Sequence, residues 1–453
     1  MKQGTKLLLS GALALALVGC GDNAQLPEEA GIGTNPTLPT PDPPLIPTVN
    51  VAPAKGWPAG ATPNAAEGVD ANAFATGLDH PRWLYVLPNG DVLVAQAKAP
   101  PNRQKAKESI GKRVQFFLHQ RVTQFFMQRA GASGPSPNRI TLLRDADGDG
   151  VAEIKTEFLT GLNSPFGMAL IGNVLYVANT DAVMRFNYTE GATKIDGPGA
   201  KLTDLPAGSL NPHWTRGLVA NRDGSRLYVS VGANSNVAEN GIENEEQRAV
   251  ILEIVTSTGE TRVFASGLRN PVGIDFEPQT SVLWAVVNER DELGSDLVPD
   301  YLTSVKDGGF YGWPYSYFGQ HIDKRVEPQR PDLVAKSIVP DYALGNHVAP
   351  LGLTFAQGNR LPPQFKDGAF IGLHGSWNRR PRSGYKVVFV PFADGKPSGK
   401  PIDVVTGFVN DAGEAMGRPV GVTIDKNGML LIADDVGNAI WRVAPAQLSA
   451  NRR

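Results

Sequence analysis

Four of the six histidines, His80, His213, His347 and His374, fall in or beside short polar segments that also hold most of the distinctive arginines and asparagines. These segments are His80-Pro81-Arg82, His213-Trp214-Thr215-Arg216, Arg269-Asn270, His374-Gly375-Ser376-Trp377-Asn378-Arg379 and the surroundings of Arg418. Guanidinium groups grip planar carboxylates through a fork of two parallel hydrogen bonds. Imidazole supplies a base near neutral pH. If the chain brings these segments together, they make a pocket for a carboxylate-bearing ligand with a base beside it. Polar turns such as Asn179-Thr180, Asn234, Asn288-Glu289-Arg290-Asp291 and Asp434-Asp435 would complete the wall.

The elements that must position them follow from an internal repeat. A short β-like segment, then Gly-Leu or a relative, a polar residue and often Pro lead into an apolar strand. The pattern occurs at 73–87 (AFATGLDHPRWLYVL), 157–171 (EFLTGLNSPFGMALI) and 263–277 (VFASGLRNPVGIDFE), with weaker copies at 211–220, 347–356 and 416–425. Each copy is followed by a turn and a second strand, as in DVLVAQA, NVLYVANT and MLLIADD. Six such units predict an all-β, six-bladed β-propeller. After the last copy only three strands fit, so the early segment at 73–77 is expected to supply the fourth and close the ring. The polar segments then fall in two loop sets on one face: the crossovers into each innermost strand and the turns after each second strand.

The chain has 453 residues, with 41 % hydrophobic and 19 % charged residues, 50 glycines, 36 prolines and one cysteine. Such a composition suits many short strands joined by turns. A net charge of −2 leaves no basic field for nucleic acid, and one cysteine rules out a disulfide framework or a cysteine zinc cluster. Lys2 and Lys6 precede the apolar run LLLSGALALALVG at 7–19. The run is too short for a bilayer span and fits a signal peptide, 1–19. It ends in Leu17-Val18-Gly19-Cys20, which resembles a bacterial lipobox with Cys20 as the lipidated residue. An extracytoplasmic (periplasmic), lipid-anchored protein is expected, by way of a disordered, Pro-rich tether over 20–62 and a propeller over 63–453. An insertion at about 98–135 carries a helical apolar pattern, KRVQFFLHQRVTQFFMQRA at 112–130.

Five stretches resemble the sorbosone/pyranose dehydrogenase branch of the soluble quinoprotein sugar dehydrogenases: HWTRGLVANRDGSRLYVSVG, ASGLRNPVGIDFE, VNERDELGSDLVPDYLTSVKDGGFYGWP, HGSWNRRPRSGYKVV and GRPVGVTIDKNG. The resemblance covers roughly 73–445 and implies a six-bladed propeller using pyrroloquinoline quinone (PQQ) with calcium. It implies that His213 is the general base, that Arg269 and Asn270 stand beside the quinone oxygens, and that Arg418 meets a cofactor carboxylate. It also implies that Asp291 and Glu292 offer backbone carbonyls to the catalytic Ca2+. The chain departs from the glucose dehydrogenase pattern at Val420, where that branch has a second arginine, and at Asn378, where it has a lysine. Carboxylate pairing then falls to Arg379 or Arg82. The implied activity is oxidation of a sugar or sugar-derived aldehyde, of sorbosone or aldose type. The sequence holds no CxxCH haem motif, so a separate electron acceptor, a cytochrome or quinone, is expected.

The run Asp145-Ala146-Asp147-Gly148-Asp149-Gly150 has the first half of an EF-hand loop, but Thr156 stands where its bidentate Glu belongs. A solvated hairpin turn is expected there, with a weak calcium site as the alternative. Two other functions fit a polar propeller face. One is a calcium-dependent lactonase, which needs carboxylates and asparagines converging on the axis. The other is a non-catalytic, lipid-anchored propeller that binds sugar or protein.

Overall fold

The computed structural model describes residues 21–45, 47–101 and 128–446. The signal peptide, Cys20 and most of the helix expected at 112–130 lie outside these residues. Each repeat begins the innermost strand of a four-stranded antiparallel blade. Blade 1 comprises Pro81–Val86, Val92–Gln96, Arg139–Arg144 and Ile154–Leu159. Blade 2 runs Met168–Ile171, Val174–Ala178, Ala182–Asn187 and Ala200–Asp204, and blade 3 Leu218–Ala220, Arg226–Val231, Val250–Val255 and Thr261–Ser266. Blade 4 comprises Asn270–Phe276, Leu283–Asn288, Pro299–Ser304 and Tyr342–Asn346. Blade 5 is Pro350–Phe355, Gly368–Leu373, Lys386–Ala393 and Ile402–Thr406. Blade 6 joins the two ends of the chain: Pro419–Ile424, Leu430–Asp434 and Ala439–Pro445 are completed by Val69–Ala75. The register pairs Val69 with Pro445 and Ala71 with Val443, so the closing strand starts four residues earlier than the sequence pattern placed it.

The repeat glycine has a packing cause. A Cβ on Gly167, Gly217, Gly273, Gly352 or Gly421 would stand within 3.0 Å of the backbone of the next blade's innermost strand, at Leu218, Val272, Leu351, Val420 and Arg82 respectively. Six strands can surround one axis only where the hub has no side chain between neighbours. At the remaining seam Trp83 takes the glycine's place and packs on Phe166, ring centroids 4.8 Å apart.

The structure corrects the expectation of a free tether over 20–62. From Gly21 on, this segment is laid along blades 4, 5 and 6. Ile32–Gly33 adds an antiparallel edge to Tyr342–Asn346 of blade 4, and Asn64–Ala65 adds one to Ile402–Thr406 of blade 5. Ala52 is fully buried, and Trp57 packs edge-on against Phe408 and Trp441 while its Nε1 donates to Asp434 at 2.7 Å. A Pro-rich segment cannot build a core of its own. It can still satisfy its backbone groups on sheet edges that another part of the chain provides.

Candidate active site

Local structure fixes the crossover that carries His213. Arg216, fully buried, donates from Nη1 to the His213 carbonyl at 2.8 Å and from Nη2 to the Pro206 carbonyl at 2.6 Å. Thr180 Oγ1 holds the Trp214 carbonyl at 3.0 Å. The His213 ring is set by Nδ1, which lies 2.8 Å from the Ala233 carbonyl. A carbonyl only accepts, so Nδ1 carries the proton and Nε2 keeps its lone pair. Burial, reinforced by the charge of Arg269, lowers the His213 pKa to about 3, so the ring is neutral at pH 7. Gly232 lies between His213 and Asn270: a Cβ there would strike both. Asn270 Oδ1 is buried without a partner.

Next to them stands a network centred on Asp291. Arg269 Nη2 donates to Asp291 Oδ2 and to Asn236 Oδ1, each at 3.0 Å, while its Nη1 meets the Glu289 carbonyl at 2.5 Å. Asn378 Nδ2 donates to Asp291 Oδ1 at 2.8 Å, and His347 Nδ1 lies 3.7 Å from the same oxygen. Burial alone would raise the Asp291 pKa. Arg269, His347 and Asn378 outweigh it and bring it down to about 2. His347 donates from Nε2 to the Gly294 carbonyl at 3.1 Å, and Asp291 raises its pKa against the effect of burial. His347 holds this position with a left-handed backbone, φ +57°, uncommon outside glycine.

A second network centres on Asp435, in the turn after the second strand of blade 6. Arg82 Nη1 pairs with Asp435 Oδ2, His374 Nε2 lies 3.0 Å from the same oxygen, and His80 Nδ1 donates to the Asp435 carbonyl at 3.0 Å. Burial pushes the Asp435 carboxyl up, but His374, His80 and Arg82 hold it well below the usual carboxylate range. Burial lowers the His80 pKa to about 4 and lowers that of His374. The Arg82 guanidinium lies 5.6 Å from the Trp214 ring centroid, which links the two networks across blades 1 and 3. Arg418 is 5.6 Å over Tyr385 and donates from Nη2 to the Ala52 carbonyl at 2.8 Å. Arg82 Nε, Arg418 Nε and Asp435 Oδ1 are buried with no partner. Unpaired buried polar atoms are rare, and these three lie at the crossovers into blades 1 and 6 and in the turn of blade 6.

The structure therefore brings His213, Arg269, Asn270, Asp291 and Asn378 together, and places Arg82 with His80, His374 and Asp435. Arg379 departs from expectation. Its guanidinium is buried between its own turn and that of blade 4, donating to the Ser295 and Pro381 carbonyls at 3.1 and 2.9 Å and pairing with Asp296 at 3.7 Å, so it does not offer a carboxylate clamp. The Asp291 carbonyl, expected to face Ca2+, accepts from Asn236 Nδ2 at 3.3 Å and Arg325 Nη1 at 3.2 Å. The Glu292 side chain is exposed, 4.0 Å from Arg325. Val420 is core, fully buried at the hub. Asn236 and Asp300 are not among the residues the sequence singles out, and Asp435, placed in the pocket wall, had no partner assigned. Asp300 accepts from the Glu289 and Ala349 amides, both at 2.8 Å, and ties a site turn to a crossover. The Asp145–Glu153 cluster lies in the hairpin joining the third and fourth strands of blade 1, on the opposite face. The ligand atoms of Asp145, Asp147, Asp149 and Glu153 lie within 4.8 Å of one another. Asp145 already accepts the Gly148 and Gly150 amides, at 2.7 and 2.9 Å.

The sequence model of the TrAA12-like family matches residues 139–301 and 329–446. The chain belongs to the TrAA12-like family. An uncharacterized protein of Borreliella burgdorferi is 30 % identical over 292 residues, 62 % of this chain and 76 % of that protein. The PQQ-dependent sugar dehydrogenase of Hypocrea jecorina is 24 % identical over 437 residues, 84 % of this chain and 88 % of that enzyme. The holo PQQ domain of the Coprinopsis cinerea pyranose dehydrogenase superposes with a TM-score of 0.67 at 19 % identity, covering 87 % of this chain and 99 % of that domain. In sequence, the match to the whole Coprinopsis enzyme spans 30 % of its length. The Hypocrea and Coprinopsis proteins are PQQ-dependent sugar and pyranose dehydrogenases, the class that the motifs resemble.

Proposed function

We propose that the protein oxidises a sugar or sugar-derived aldehyde with PQQ as cofactor, His213 acting as general base. The observation that carries this reading is the state of His213. It is neutral, its Nδ1–H is committed to the Ala233 carbonyl, and its Nε2 lone pair is left for a substrate hydroxyl proton. The residues present fit PQQ, a planar tricarboxylate. Among the described residues, Arg82 and Arg418 each keep a buried Nε without a partner on the site face, a donor left for a carboxylate. Arg82, Arg418 and His374 would hold the carboxylates, and Asn270 with Arg269 would flank the reactive carbonyls. When bound, PQQ supplies the acceptor for the hydride of the sugar carbon. Within the chain, Arg269 is oriented by Asp291 and Asn236 so that its charge stands at a fixed place where negative charge develops.

A calcium ion belongs to the same reading. The Asp291 and Glu292 carbonyls are its expected ligands, and binding there requires that Asn236 and Arg325 release the Asp291 carbonyl. The specific substrate class, sorbosone or aldose, is part of the proposal. So are the extracytoplasmic location, a lipid anchor on Cys20, and transfer of electrons to a separate cytochrome or quinone.

The test is reconstitution of a soluble fragment from residue 21. PQQ and Ca2+ are titrated into chelator-treated protein, with dye reduction followed on aldoses, sorbosone and lactones. Saturable PQQ binding with sugar-dependent reduction is expected. Hydrolysis of lactones without PQQ binding would replace the reading by a calcium-dependent lactonase. Sugar binding with neither activity would leave a binding propeller.

A further inference from the structure

We propose that the lipid-anchored protein lies with its site-bearing face, at blades 4 and 5, on the surface of the phospholipid bilayer. The inference rests on the reading of Cys20 as the acylated residue. An expected tether of some forty residues would let the propeller stand off in any orientation; the docked segment removes that freedom. Asp22 is fastened two residues after Cys20. Its amide donates to Thr48 Oγ1 at 2.9 Å, and its carboxylate accepts the Ser295 amide at 2.5 Å, the Ser295 hydroxyl at 3.1 Å and the Thr48 hydroxyl. The next residues continue the fastening: the Ala24 amide donates to the Arg380 carbonyl at 2.7 Å, and the Gln25 amide to Asp296 at 2.6 Å.

Ser295 belongs to the turn after the second strand of blade 4, the turn that carries Glu289, Asp291 and Glu292. Its neighbour Gly294 gives its carbonyl to His347, so the fastening point is on the rim of the site. From Cys20 to Asp22 the chain can span at most about 7 Å. Acyl chains on Cys20 therefore bring that rim to within about 1 nm of the headgroups, and the opposite face, with the Asp145 hairpin, points to solvent. The surface around the exit suits a membrane interface. Leu45, on the docked segment, is fully exposed, and Trp377, whose carbonyl accepts the Asn50 amide at 2.7 Å, is 44 % exposed. Arg380 and Arg382 lie in the same turn as Trp377. Arg382 is held there by the Asn50 and Val51 carbonyls at 2.8 and 3.3 Å, and the exposed aliphatic side chain and indole are the chemistry of an interfacial contact with phospholipid. The orientation would put the site within reach of an electron acceptor resident in the membrane.

The experiment uses the full-length lipidated chain on vesicles of phosphatidylethanolamine and phosphatidylglycerol with a headgroup quencher. Single fluorophores are placed at Ala412→Cys, exposed on the site face, or at Asn427→Cys, exposed on the opposite face. Quenching severalfold stronger at 412 than at 427 is expected. An Asp22→Lys variant, still acylated, should lose that difference. Equal or reversed quenching on acylated protein would overturn the orientation and leave the anchor standing. Mass spectrometry showing no acyl chain on Cys20 would remove the anchor and the orientation together.

Discussion

At the scale of single residues, the site is two carboxylates, half-buried Asp291 and buried Asp435, each paired with an arginine, with histidines arranged around them. In the proposed function, the base His213 is the residue on which chemistry depends most directly. His213→Ala is expected to lower turnover by about 10²–10⁴-fold with PQQ affinity unchanged, checked by pre-steady-state reduction and equilibrium titration. Unchanged turnover would remove His213 as base. Arg418→Ala should act on the other quantity, weakening PQQ binding by roughly 10–100-fold, the worth of a lost charged hydrogen bond, while bound enzyme still turns over.

The same histidine has a signature in stability. Its folded pKa, about 3, lies below the unfolded value of 6.5, so between those values the unfolded chain binds the extra proton. The stability due to neutral His213 is present above pH 6.5 and is lost as pH falls toward 3. A non-titrating His213→Gln variant should therefore gain on the wild type as pH falls through that window. Melting curves of both proteins from pH 7 to 4 read the difference, and a constant offset would contradict the neutral ring. Motif and spacing were enough to single out His213, Arg269 and Asn270, because they sit in contiguous, distinctive stretches. For Asp435 they reach a place in the wall but not its partner. Its pairing with Arg82 joins residues 353 positions apart, and only ring closure brings them together. Arg379 was misjudged for the complementary reason: adjacency to Asn378 says nothing of the side on which its guanidinium emerges.

At the scale of elements, the repeat was legible down to the order of strands, since a period-2 apolar pattern recurs in every blade and a hub glycine in all but the first, where Trp83 stands. The docked N-terminal segment was not legible. Its composition describes what it can do alone, and its partners are sheet edges and buried groups that the composition does not contain. Two of those partners belong to the site: Ala52 gives its carbonyl to Arg418, and Trp57 gives its N–H to Asp434, whose other oxygen accepts the Arg418 amide at 2.8 Å. A fragment starting at residue 62 should therefore fold as a propeller, yet bind PQQ at least several-fold more weakly than one starting at residue 21. Calorimetric titration of the two fragments compares them. Equal affinity would show that Arg418 is positioned without the segment.

At the scale of the whole molecule, the ring is held shut by one blade made from both ends of the chain. The closing strand Val69–Ala75 covers the backbone edge of Ala439–Pro445, whose residues Ile440, Trp441 and Val443 are buried. Without it, blade 6 would present an unpaired apolar edge, the kind that recruits other strands. The hub would also lose the registration of blade 6 against blade 1, where Gly421 meets Arg82 and Trp83. Arg82 and Asp435 lie on opposite sides of that seam, so the second site network depends on closure. Truncation should thus have a sharp threshold. A fragment from residue 62 keeps the closing strand and is expected to be monomeric with one cooperative melting transition. A fragment from residue 77 lacks it and is expected to associate with rising concentration in sedimentation, to melt broadly and to lose PQQ binding altogether. If the fragment from 77 instead sediments as a monomer and melts as sharply as the fragment from 62, the seams between hub strands are sufficient to hold the ring, and closure by the first strand is not what keeps the site assembled.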